Sequence, residues 1–420
     1  MIDKQINIAI ISMHTSPIGQ PGVGDSGGMN VYVREMASSL AALSCNCYIF
    51  TRATSDSEPE EVITEPGVRV FNIKAGPKNH VDKENLDEFV DEFFENAKNR
   101  IELLNLQGNT IDLIHSNYWL SGLVGHRLKH YFDLPMAVTF HTLDRVKAQF
   151  SAEDACGSNQ QIRQSAEMEI INCSDLLLAS CVMEKDQLVN MYGADTGKIE
   201  IVPLGIKHAF FAPGEKSHAK FAIGSSKFDP LLLFAGRIQP LKGLKIAAEI
   251  FKGVKENFKD AGLLVVGGPS GHHGYEELNA TVDFLRQYSL LDSVRFMEPQ
   301  PHEILSTIYR AADYCLVPSS SESFGLVALE AMACGSLVMA NAVGGLISLI
   351  VDGYNGILLD NRNPNVWAQK IFEIEKNKCF YDRLSANAVS LAKNYTWRAS
   401  AIKFVNAAIR LEDKVLVSCN

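Results

Sequence analysis

The sequence predicts an α/β protein with two doubly wound domains, in which helices cover both faces of a parallel sheet. Short β-branched runs alternate with amphipathic helical stretches from end to end, and strands that alternate with helices form parallel sheets. The 420 residues suffice for about two or three domains. The alternation also starts again with a new apolar strand at Leu231, after an irregular stretch. We therefore expect two similar domains in sequence.

The predicted strands are short apolar runs, and the predicted helices are the amphipathic stretches between them. The strands are 8–12, 47–52, 68–73, 112–116, 136–141 and 175–180, and then 231–236, 263–267, 294–297 and 314–318. The clearest helices are 29–43, 83–104, 244–258 and 324–333.

The stretch 203–229 interrupts this rhythm with Pro213, Gly214 and a Gly-Ser-Ser turn, which is typical of a linker. The predicted domains are 1–205 and 206–396. The C-terminal helix, about 397–420, is expected to pack back on the first domain.

The composition and the apolar pattern of the chain argue against nucleic acid and membranes as binding partners. A net charge of −10 argues against nucleic-acid binding, which depends on a basic surface. The N-terminus lacks the basic and apolar regions of a signal peptide, and no apolar run approaches the ~20 residues that span a bilayer. The nine cysteines are odd in number and scattered, which is typical of reduced thiols. We expect a cytoplasmic protein without a membrane or nucleic-acid partner.

A glycine-rich loop follows the first strand. Gly22, Gly24 and Gly27 match the G-x-G-x-x-G fingerprint of dinucleotide-binding proteins. About ten residues separate the strand from Gly22, too many for that tight turn, and the second strand ends in Arg52 instead of an acid. An arginine could suit a 2′-phosphate, so an NADP enzyme stays open. The better-supported interpretation is an anion site at Gly27-Gly28, just before a predicted helix, and a flexible surface loop is the alternative.

The second half contains two cations and two carboxylates in positions that suit a ligand with a diphosphate group. Arg237 and Lys242 follow the first strand of the second domain, at the edge where open sheets bind ligands, and suit a diphosphate. Glu322 and Glu330 flank the start of a helix predicted near Phe324, with Glu330 about two turns into it. Solvated charges and ordinary helix capping are the alternatives.

These motifs together resemble the retaining GT-B glycosyltransferases of family 4, over nearly the whole chain. The narrower similarity rests on Ser12-Met-His-Thr-Ser-Pro, the Gly22 loop, His115-Ser-Asn-Tyr-Trp-Leu-Ser-Gly, Gly268-Pro-Ser-Gly and Ser321-Glu-Ser-Phe-Gly-Leu-Val-Ala-Leu-Glu. It points to the members that transfer N-acetylglucosamine from UDP-N-acetylglucosamine to 1D-myo-inositol 3-phosphate with retention, the first step of mycothiol biosynthesis. The resemblance implies two Rossmann-like domains that face each other across a cleft, of which 1–205 binds the acceptor and 206–396 binds the UDP-sugar donor. It also implies a homodimer.

The resemblance also implies roles for particular residues. The implied catalytic residues are His141, Arg237, Lys242 and Glu322. The implied donor site consists of Gly28, Arg237, Lys242, Gln300, Glu322, Ser323, Phe324, Gly325 and Glu330. The implied acceptor site consists of His14, Gln20, Pro21, Asp25, Ser26, Gly27, Gly28, Met29, Asn30, Lys83, Tyr118, Thr142 and Arg163. No cofactor is implied for catalysis, but a structural magnesium ion is implied on main-chain groups near Tyr309, Arg310 and Ala312, with Ser336.

Some features depart from the pattern or compete with it. Asn117 replaces a frequent histidine beside Tyr118. His126 and His130 have the i, i+4 spacing of a metal pair, but the flanking Arg127 and Lys129 indicate a solvated face. Competing functions are another acceptor on the same fold, as in sucrose-phosphate synthase or the phosphatidylinositol mannosyltransferases, an NADP-dependent oxidoreductase, and a non-catalytic sugar-nucleotide binder.

Overall fold

The computed structural model describes residues 5–22, 26–149, 158–271, 273–411 and 415–418, and its strands form two separate sheets. The strands of the first sheet are β1 (Asn7–Ile11), β2 (Asn46–Arg52), β3 (Glu61–Glu65), β4 (Val68–Ile73), β5 (Leu113–Asn117), β6 (Met136–Thr139), β7 (Leu176–Ala179) and β8 (Ile199–Ile201). Those of the second are β9 (Leu231–Ala235), β10 (Gly262–Val266), β11 (Val294–Met297), β12 (Tyr314–Val317), β13 (Leu337–Asn341) and β14 (Ile357–Leu359).

Fifteen α-helices alternate with the strands of the described residues. They are α1 (Gly28–Ala41), α2 (Val90–Leu106), α3 (Trp119–Phe132), α4 (Asp144–Ala148), α5 (Ser158–Cys173), α6 (Val182–Tyr192), α7 (Lys216–Ala222), α8 (Leu244–Asn257), α9 (Gly274–Gln287), α10 (His302–Ala311), α11 (Leu326–Cys334), α12 (Gly345–Leu349), α13 (Pro364–Glu375), α14 (Lys378–Ala392) and α15 (Trp397–Ile409). Short 3-10 helices occupy Lys83–Phe89, Thr196–Lys198, Pro240–Lys242 and Leu291–Ser293.

Both sheets have the strand order of a doubly wound fold. The second sheet runs β11-β10-β9-β12-β13-β14 with all neighbours parallel, which is the 3-2-1-4-5-6 order of a dinucleotide fold. The first runs β3-β4-β2-β1-β5-β6-β7-β8, in which only β3 is antiparallel to its neighbour. The predicted fold class is therefore confirmed.

The chain divides into two compact units. The first unit is Met1–Gly19, Gly28–Pro203 and Trp397–Asn420, and the second is Gln20–Gly27 and Leu204–Thr396. Helix α15 packs on α1 within the first unit. The glycine-rich loop differs from its sequence assignment, because Gln20–Gly27 groups with the second unit. Each unit has its own apolar core, around Phe50 and Phe93 in the first and Phe251 and Trp367 in the second.

Sequence patterns missed four strands: β3, β8, β13 and β14. Strand β3 is a largely exposed edge strand with glutamates at both ends, so it has no buried apolar run. Strand β13 is fully buried, but it follows α11 after two residues and continues the same apolar stretch. Hydrophobicity alone does not mark where that helix ends.

The structure bears on two sequence predictions, the absence of a membrane-spanning segment and the reduced state of the cysteines. Within the described residues, no helix has the length and apolar character needed to cross a membrane. The prediction that all cysteines are reduced thiols was wrong for Cys173, which is disulfide-bonded. Spacing along the chain does not report which thiols meet in space. Cys45, Cys47, Cys315, Cys334 and Cys379 are free thiols.

Candidate active site

The second sheet places charged side chains at its topological switch point. Strands β9 and β12 are neighbours, and the chain leaves them toward opposite sides of the sheet. Open α/β sheets bind ligands at the carboxyl ends of such strands. Arg237 and Lys242 follow β9, and Glu322 follows β12. The fold thus brings these three sequence-predicted residues to one edge.

Lys242 and Glu322 form an ion pair at this edge. The Lys242 Nζ donates to Glu322 Oε1 at 2.5 Å, and Ser319 Oγ donates to the same oxygen at 3.0 Å. The side chains are 22% and 15% exposed, so both remain open to a ligand. An ammonium group has three donors and a carboxylate accepts several hydrogen bonds, so each has capacity beyond this pair. The arrangement can hold an anion beside a hydroxyl-rich group.

Glycines hold the backbone of Glu322 in place. Gly345 N donates to Glu322 O at 2.9 Å, and Gly344 has a φ of 50°. A Cβ atom on Gly344 would lie 1.8 Å from Glu322 O, so any other residue would displace the loop that carries the carboxylate. The loop leads through Ser323 and Phe324 to Gly325, whose φ of 99° precedes α11.

The other predicted donor residues are divided between the two units, with Gly28 in the first and Arg237 and Gln300, together with Gly27, in the second. A Cβ atom on Gly27 would lie 3.2 Å from Arg237 Nε, so this glycine allows close approach to the guanidinium. Gly28 is the first residue of α1, whose first turn carries no acidic side chain. Gln300 follows β11, and its Nε2 donates to Glu298 O at 2.8 Å.

Glu330 is buried on α11 and is bound by a tyrosine. Tyr309 Oη on α10 donates to Glu330 Oε2 at 2.9 Å. Burial raises the pKa of Glu330 to about 7, although the tyrosine hydrogen bond acts in the opposite direction. The predicted depth was wrong, because α11 begins at Leu326 and Glu330 lies about one turn into it. Gly325 in the left-handed region delays the start of the helix.

The first unit has a second switch point, between β1 and β5. His14 follows β1 and Tyr118 follows β5, and their ring centroids are 4.6 Å apart. Tyr118 has a φ of 77°, which turns it out of the strand just before α3. Asn30 is buried on α1 and donates to Thr15 Oγ1 and Ser16 O, both at 2.6 Å, so it holds the loop that carries His14. Met29 packs against the core beside it.

Arg163 belongs to this cluster and is not the surface charge that its position alone would indicate. Its Nη1 donates to Tyr118 Oη at 3.1 Å, and its Nη2 donates to Thr142 O at 2.9 Å. Its Nε donates to Glu167 Oε1 at 2.8 Å, and its side chain is 11% exposed. Five N–H donors leave capacity for an anion after these bonds. Glu167 also accepts hydrogen bonds from Tyr192 Oη and Asp144 N, so the carboxylate that binds the guanidinium is itself held in place.

His141 lies two residues after the end of β6 and has a φ of 62°. Its Nε2 is 3.0 Å from Asn117 Oδ1, and the Tyr32 ring packs edge-on at 4.8 Å. Burial lowers the pKa of His141 to about 3, so the imidazole is neutral. With Nε2 donating to the amide oxygen, Nδ1 carries the lone pair. The unusual residue Asn117 thus takes part in orienting His141.

The remaining acceptor residues are spread over both units. Gln20, Pro21 and Ser26 belong to the segment that groups with the second unit, where Gly22 N donates to Ser26 O at 2.8 Å. Lys83 begins the 3-10 helix Lys83–Phe89, and its role beside Arg163 stays a prediction. Asp25 lies outside the described residues.

The predicted magnesium residues lie around the end of α10. Arg310 Nη1 donates to Phe210 O at 3.1 Å, and Ala312 N donates to Ile308 O at 3.1 Å. Arg310 also lines a cavity of about 320 Å³ with Lys216, Asp313 and Gly335. Within the described residues, the buried Ser336 Oγ has no hydrogen-bond partner. An oxygen ligand suits magnesium, whereas the neighbouring cations oppose it.

The oxidoreductase alternative finds no support in the second strand. Arg52 is buried, and its Nη1 and Nη2 donate to Pro77 O and Asn79 O, both at 2.8 Å. The guanidinium that could have held a 2′-phosphate is therefore bound to main-chain carbonyls.

Sequence reasoning missed the supporting residues Glu167 and Tyr32, and it named Tyr309 only for the magnesium ion and not as the partner of Glu330. Each lies on a helix and carries no motif that marks it. The i, i+4 spacing of Arg163 and Glu167 was the one usable signal. Glu167 became recognisable only when the fold placed it under the arginine.

Two dinucleotide-type sheets in one chain, with a Lys–Glu pair at the switch point of the second, define the class of GT-B glycosyltransferases. Family models agree on both halves: "Glycosyl transferase 4-like domain" matches residues 27–205, and "Glycosyl transferases group 1" matches residues 215–390.

Comparison with known proteins narrows the class. The chain is 39% identical over 396 residues to the D-inositol 3-phosphate glycosyltransferase of Actinosynnema mirum, covering 93% of this chain and 94% of that protein. It is 40% identical over 405 residues to the one of Mycobacteroides abscessus, covering 95% and 88%. The chain therefore belongs to the glycosyltransferase family that includes the D-inositol 3-phosphate glycosyltransferases.

Solved structures show the same fold. Sucrose-phosphate synthase from Thermosynechococcus elongatus superposes with a TM-score of 0.88 at 30% identity, covering 97% of this chain and 99% of that one. Anabaena HepE in complex with UDP and glucose superposes with a TM-score of 0.75 at 16% identity, covering 97% and 100%. The predicted GT-B architecture is confirmed.

Proposed function

We propose that this chain transfers N-acetylglucosamine from UDP-N-acetylglucosamine to 1D-myo-inositol 3-phosphate with retention of configuration, as the first step of mycothiol biosynthesis. The observation that carries the proposal is the Lys242–Glu322 pair at 2.5 Å at the switch point of the second sheet. The names of the relatives at about 39% identity support the acceptor.

On the donor side, charge develops on the diphosphate as the sugar leaves. Lys242 and Arg237 would stabilise that charge, and a fixed cation is most effective where the charge grows in the transition state. Glu322 would accept hydrogen bonds from sugar hydroxyls while it holds Lys242. Glu330, one turn into α11, would accept from the ribose hydroxyls. We propose that this catalysis needs no metal ion.

On the acceptor side, Arg163 would bind the phosphate of inositol phosphate. Tyr118, Thr142 and Glu167 fix its guanidinium through three hydrogen bonds of 2.8–3.1 Å. A preorganised guanidinium binds a phosphate with little further loss of freedom. Neutral His141 would accept a hydrogen bond from the donor sugar.

Product analysis tests the proposal. Purified chain is incubated with UDP-N-acetylglucosamine and inositol 3-phosphate, and the product is identified by mass spectrometry. The anomeric proton coupling in its NMR spectrum reads out retention. Release of UDP without a glycosylated inositol phosphate would contradict the proposed acceptor.

A second candidate keeps the donor half and takes another phosphorylated acceptor. The match to sucrose-phosphate synthase, 30% identical over nearly the whole chain, favours it specifically. Including a hexose phosphate as a competing acceptor in the same incubation separates the two.

The structural magnesium ion and the homodimer also remain proposals. Ser336 would supply a hard oxygen ligand, with main-chain groups near Tyr309, Arg310 and Ala312. A rise in unfolding temperature with magnesium that Ser336→Ala abolishes would support the ion. Light scattering of the purified chain tests the dimer.

A further inference from the structure

A side-chain cluster outside the sugar site lies between α3 and α5 in the first unit. His126, His130 and Cys173 each offer a ligand atom, and these atoms lie within 4.8 Å of one another. The two histidines are one turn apart on α3, and Cys173 is the last residue of α5. The helices pack closely because Gly122 has no Cβ, which would lie 2.6 Å from Ile170 Cδ1. Two helices thus bring three metal-binding side chains together.

Arg127 and Lys129, the two cations that flank the histidines in sequence, are each paired with a carboxylate. Arg127 pairs with Asp91 on α2, and its guanidinium lies 4.1 Å from the centroid of the Phe94 ring. Lys129 is buried, and its Nζ donates to Asp175 Oδ2 at 2.7 Å. The positive charge nearest to the cluster is therefore matched by a carboxylate. The sequence expectation of a solvated face holds for the exposed His130 and the half-exposed Arg127, and it was wrong for Lys129, which is buried.

The distance between the cysteine sulfur and one histidine nitrogen suits a tetrahedral zinc ion. Cys173 Sγ lies 3.6 Å from His130 Nε2. Zinc bonds of about 2.3 Å to sulfur and about 2.0 Å to nitrogen, at a tetrahedral angle, place these two atoms about 3.5 Å apart. His126 is held for the same purpose, since its Nδ1 is 3.1 Å from Glu169 Oε1, which leaves Nε2 to ligate. A histidine that donates its other nitrogen to a carboxylate is typical of metal ligands.

The redox state of Cys173 decides when the site can form. Cys173 is disulfide-bonded in this structure, so its sulfur is not yet a thiolate. A dithiol reductant would give the disulfide two electrons and two protons, which yields two thiols and an oxidised dithiol. Zinc would then displace the proton of the Cys173 thiol.

We propose that reduction of the Cys173 disulfide opens a zinc(II) site formed by His126, His130 and Cys173, with Glu169 positioning His126. Water would fill the fourth position, because His130 is exposed. The two nitrogens and one thiolate favour zinc over magnesium or calcium, which prefer oxygen.

The site would join the two helices that carry the acceptor cluster. Tyr118 immediately precedes α3, and His130 lies eleven residues along that helix, a rise of about 16 Å. Arg163 and Cys173 are ten residues apart on α5, about 15 Å. The metal would therefore bind well away from Tyr118 and Arg163 and stabilise the helix pair that holds them.

Cobalt(II) binding tests the proposal, because cobalt reports thiolate ligation optically. Tag-free chain is reduced, desalted under nitrogen and titrated with cobalt(II). We expect one equivalent to produce a thiolate-to-cobalt charge-transfer band and the visible bands of tetrahedral cobalt, and zinc to displace both. The unreduced chain should lack the charge-transfer band.

Variants assign the ligands. His126→Ala, His130→Ala and Cys173→Ser should each lose the spectrum, and Glu169→Gln should weaken zinc binding about tenfold to hundredfold. His218→Ala and Cys379→Ser change an exposed histidine and an exposed free cysteine on other helices, and should leave the spectrum unchanged. Zinc should raise the unfolding temperature of the reduced chain but not of His130→Ala. Absence of the charge-transfer band in the reduced chain, or its persistence in both histidine variants, would overturn the proposal.

Discussion

Donor binding should depend on pH through Glu330. Burial raises the pKa of this carboxyl to about 7, so its ionised fraction rises from about one tenth at pH 6 to about nine tenths at pH 8. If the ribose hydroxyls require the carboxylate, the affinity for UDP-N-acetylglucosamine should rise roughly tenfold over that range, because only the ionised form binds.

The stability of the free chain should change in the opposite direction. A carboxyl whose pKa is higher in the folded than in the unfolded chain stabilises the folded form most at low pH. That contribution is complete below the unfolded pKa and is lost as the pH rises through about 7. Opposite trends in donor affinity and in the free energy of unfolding would together identify Glu330.

The Tyr309→Phe variant should shift the pH at which the donor affinity changes. The variant removes the hydrogen bond that Tyr309 Oη donates to the Glu330 carboxylate at 2.9 Å. A hydrogen bond to a charged group contributes about 1.5–3 kcal/mol. Since a pKa unit corresponds to about 1.36 kcal/mol, the midpoint of the affinity profile should move up by about one to two pH units.

Isothermal titration with UDP-N-acetylglucosamine from pH 5.5 to 9 measures the profile, because this diphosphate diester stays fully ionised throughout that range. Glu330→Gln should flatten it. Tyr314→Phe is the matched control, since Tyr314 is also buried but donates to Glu375 at 2.6 Å, and its midpoint should not move. An affinity that is independent of pH between 6 and 8 in the wild type would refute the role of Glu330.

Other predictions concern the charged groups of both units. Glu322→Gln should lower turnover at least tenfold with little change in UDP affinity, because it weakens a charge-assisted contact of about 1.5–3 kcal/mol; an equal loss of UDP binding would make Glu322 a nucleotide or structural residue. Arg237→Ala and Lys242→Ala should each lower turnover strongly, and EDTA should leave the wild-type rate intact; loss of activity in EDTA that magnesium restores would contradict metal-free catalysis. Arg163→Ala should raise the KM for inositol phosphate about tenfold to hundredfold while the donor KM stays constant. Pairing it with Glu167→Gln avoids leaving a buried carboxylate unpaired.

The sequence predicted the fold because the alternation of strands and helices is a local signal of a doubly wound protein. The positions after β9 and β12 could be assigned to a ligand-binding edge, since parallel strands present their carboxyl ends together. This reasoning located Arg237, Lys242 and Glu322 before any distance between them was known.

Contacts between distant helices could not be predicted in the same way. Tyr309 and Glu330 are 21 residues apart, and His130 and Cys173 are 43 apart. No periodicity links such pairs, so only the packed structure shows them. The predicted start of α11 was also wrong. The positive φ of Gly325 is set by tertiary packing, which the spacing of apolar residues does not reveal.

The central claim is the transfer of N-acetylglucosamine to inositol 3-phosphate. Mass spectrometry of incubations with UDP-N-acetylglucosamine and a panel of phosphorylated polyols and hexose phosphates measures it most directly. The account predicts one product, inositol 3-phosphate enlarged by a single N-acetylhexosamine, which the Glu322→Gln variant forms at least tenfold more slowly. A hexose phosphate as the preferred acceptor, or no glycosylated product from any member of the panel, would contradict the account.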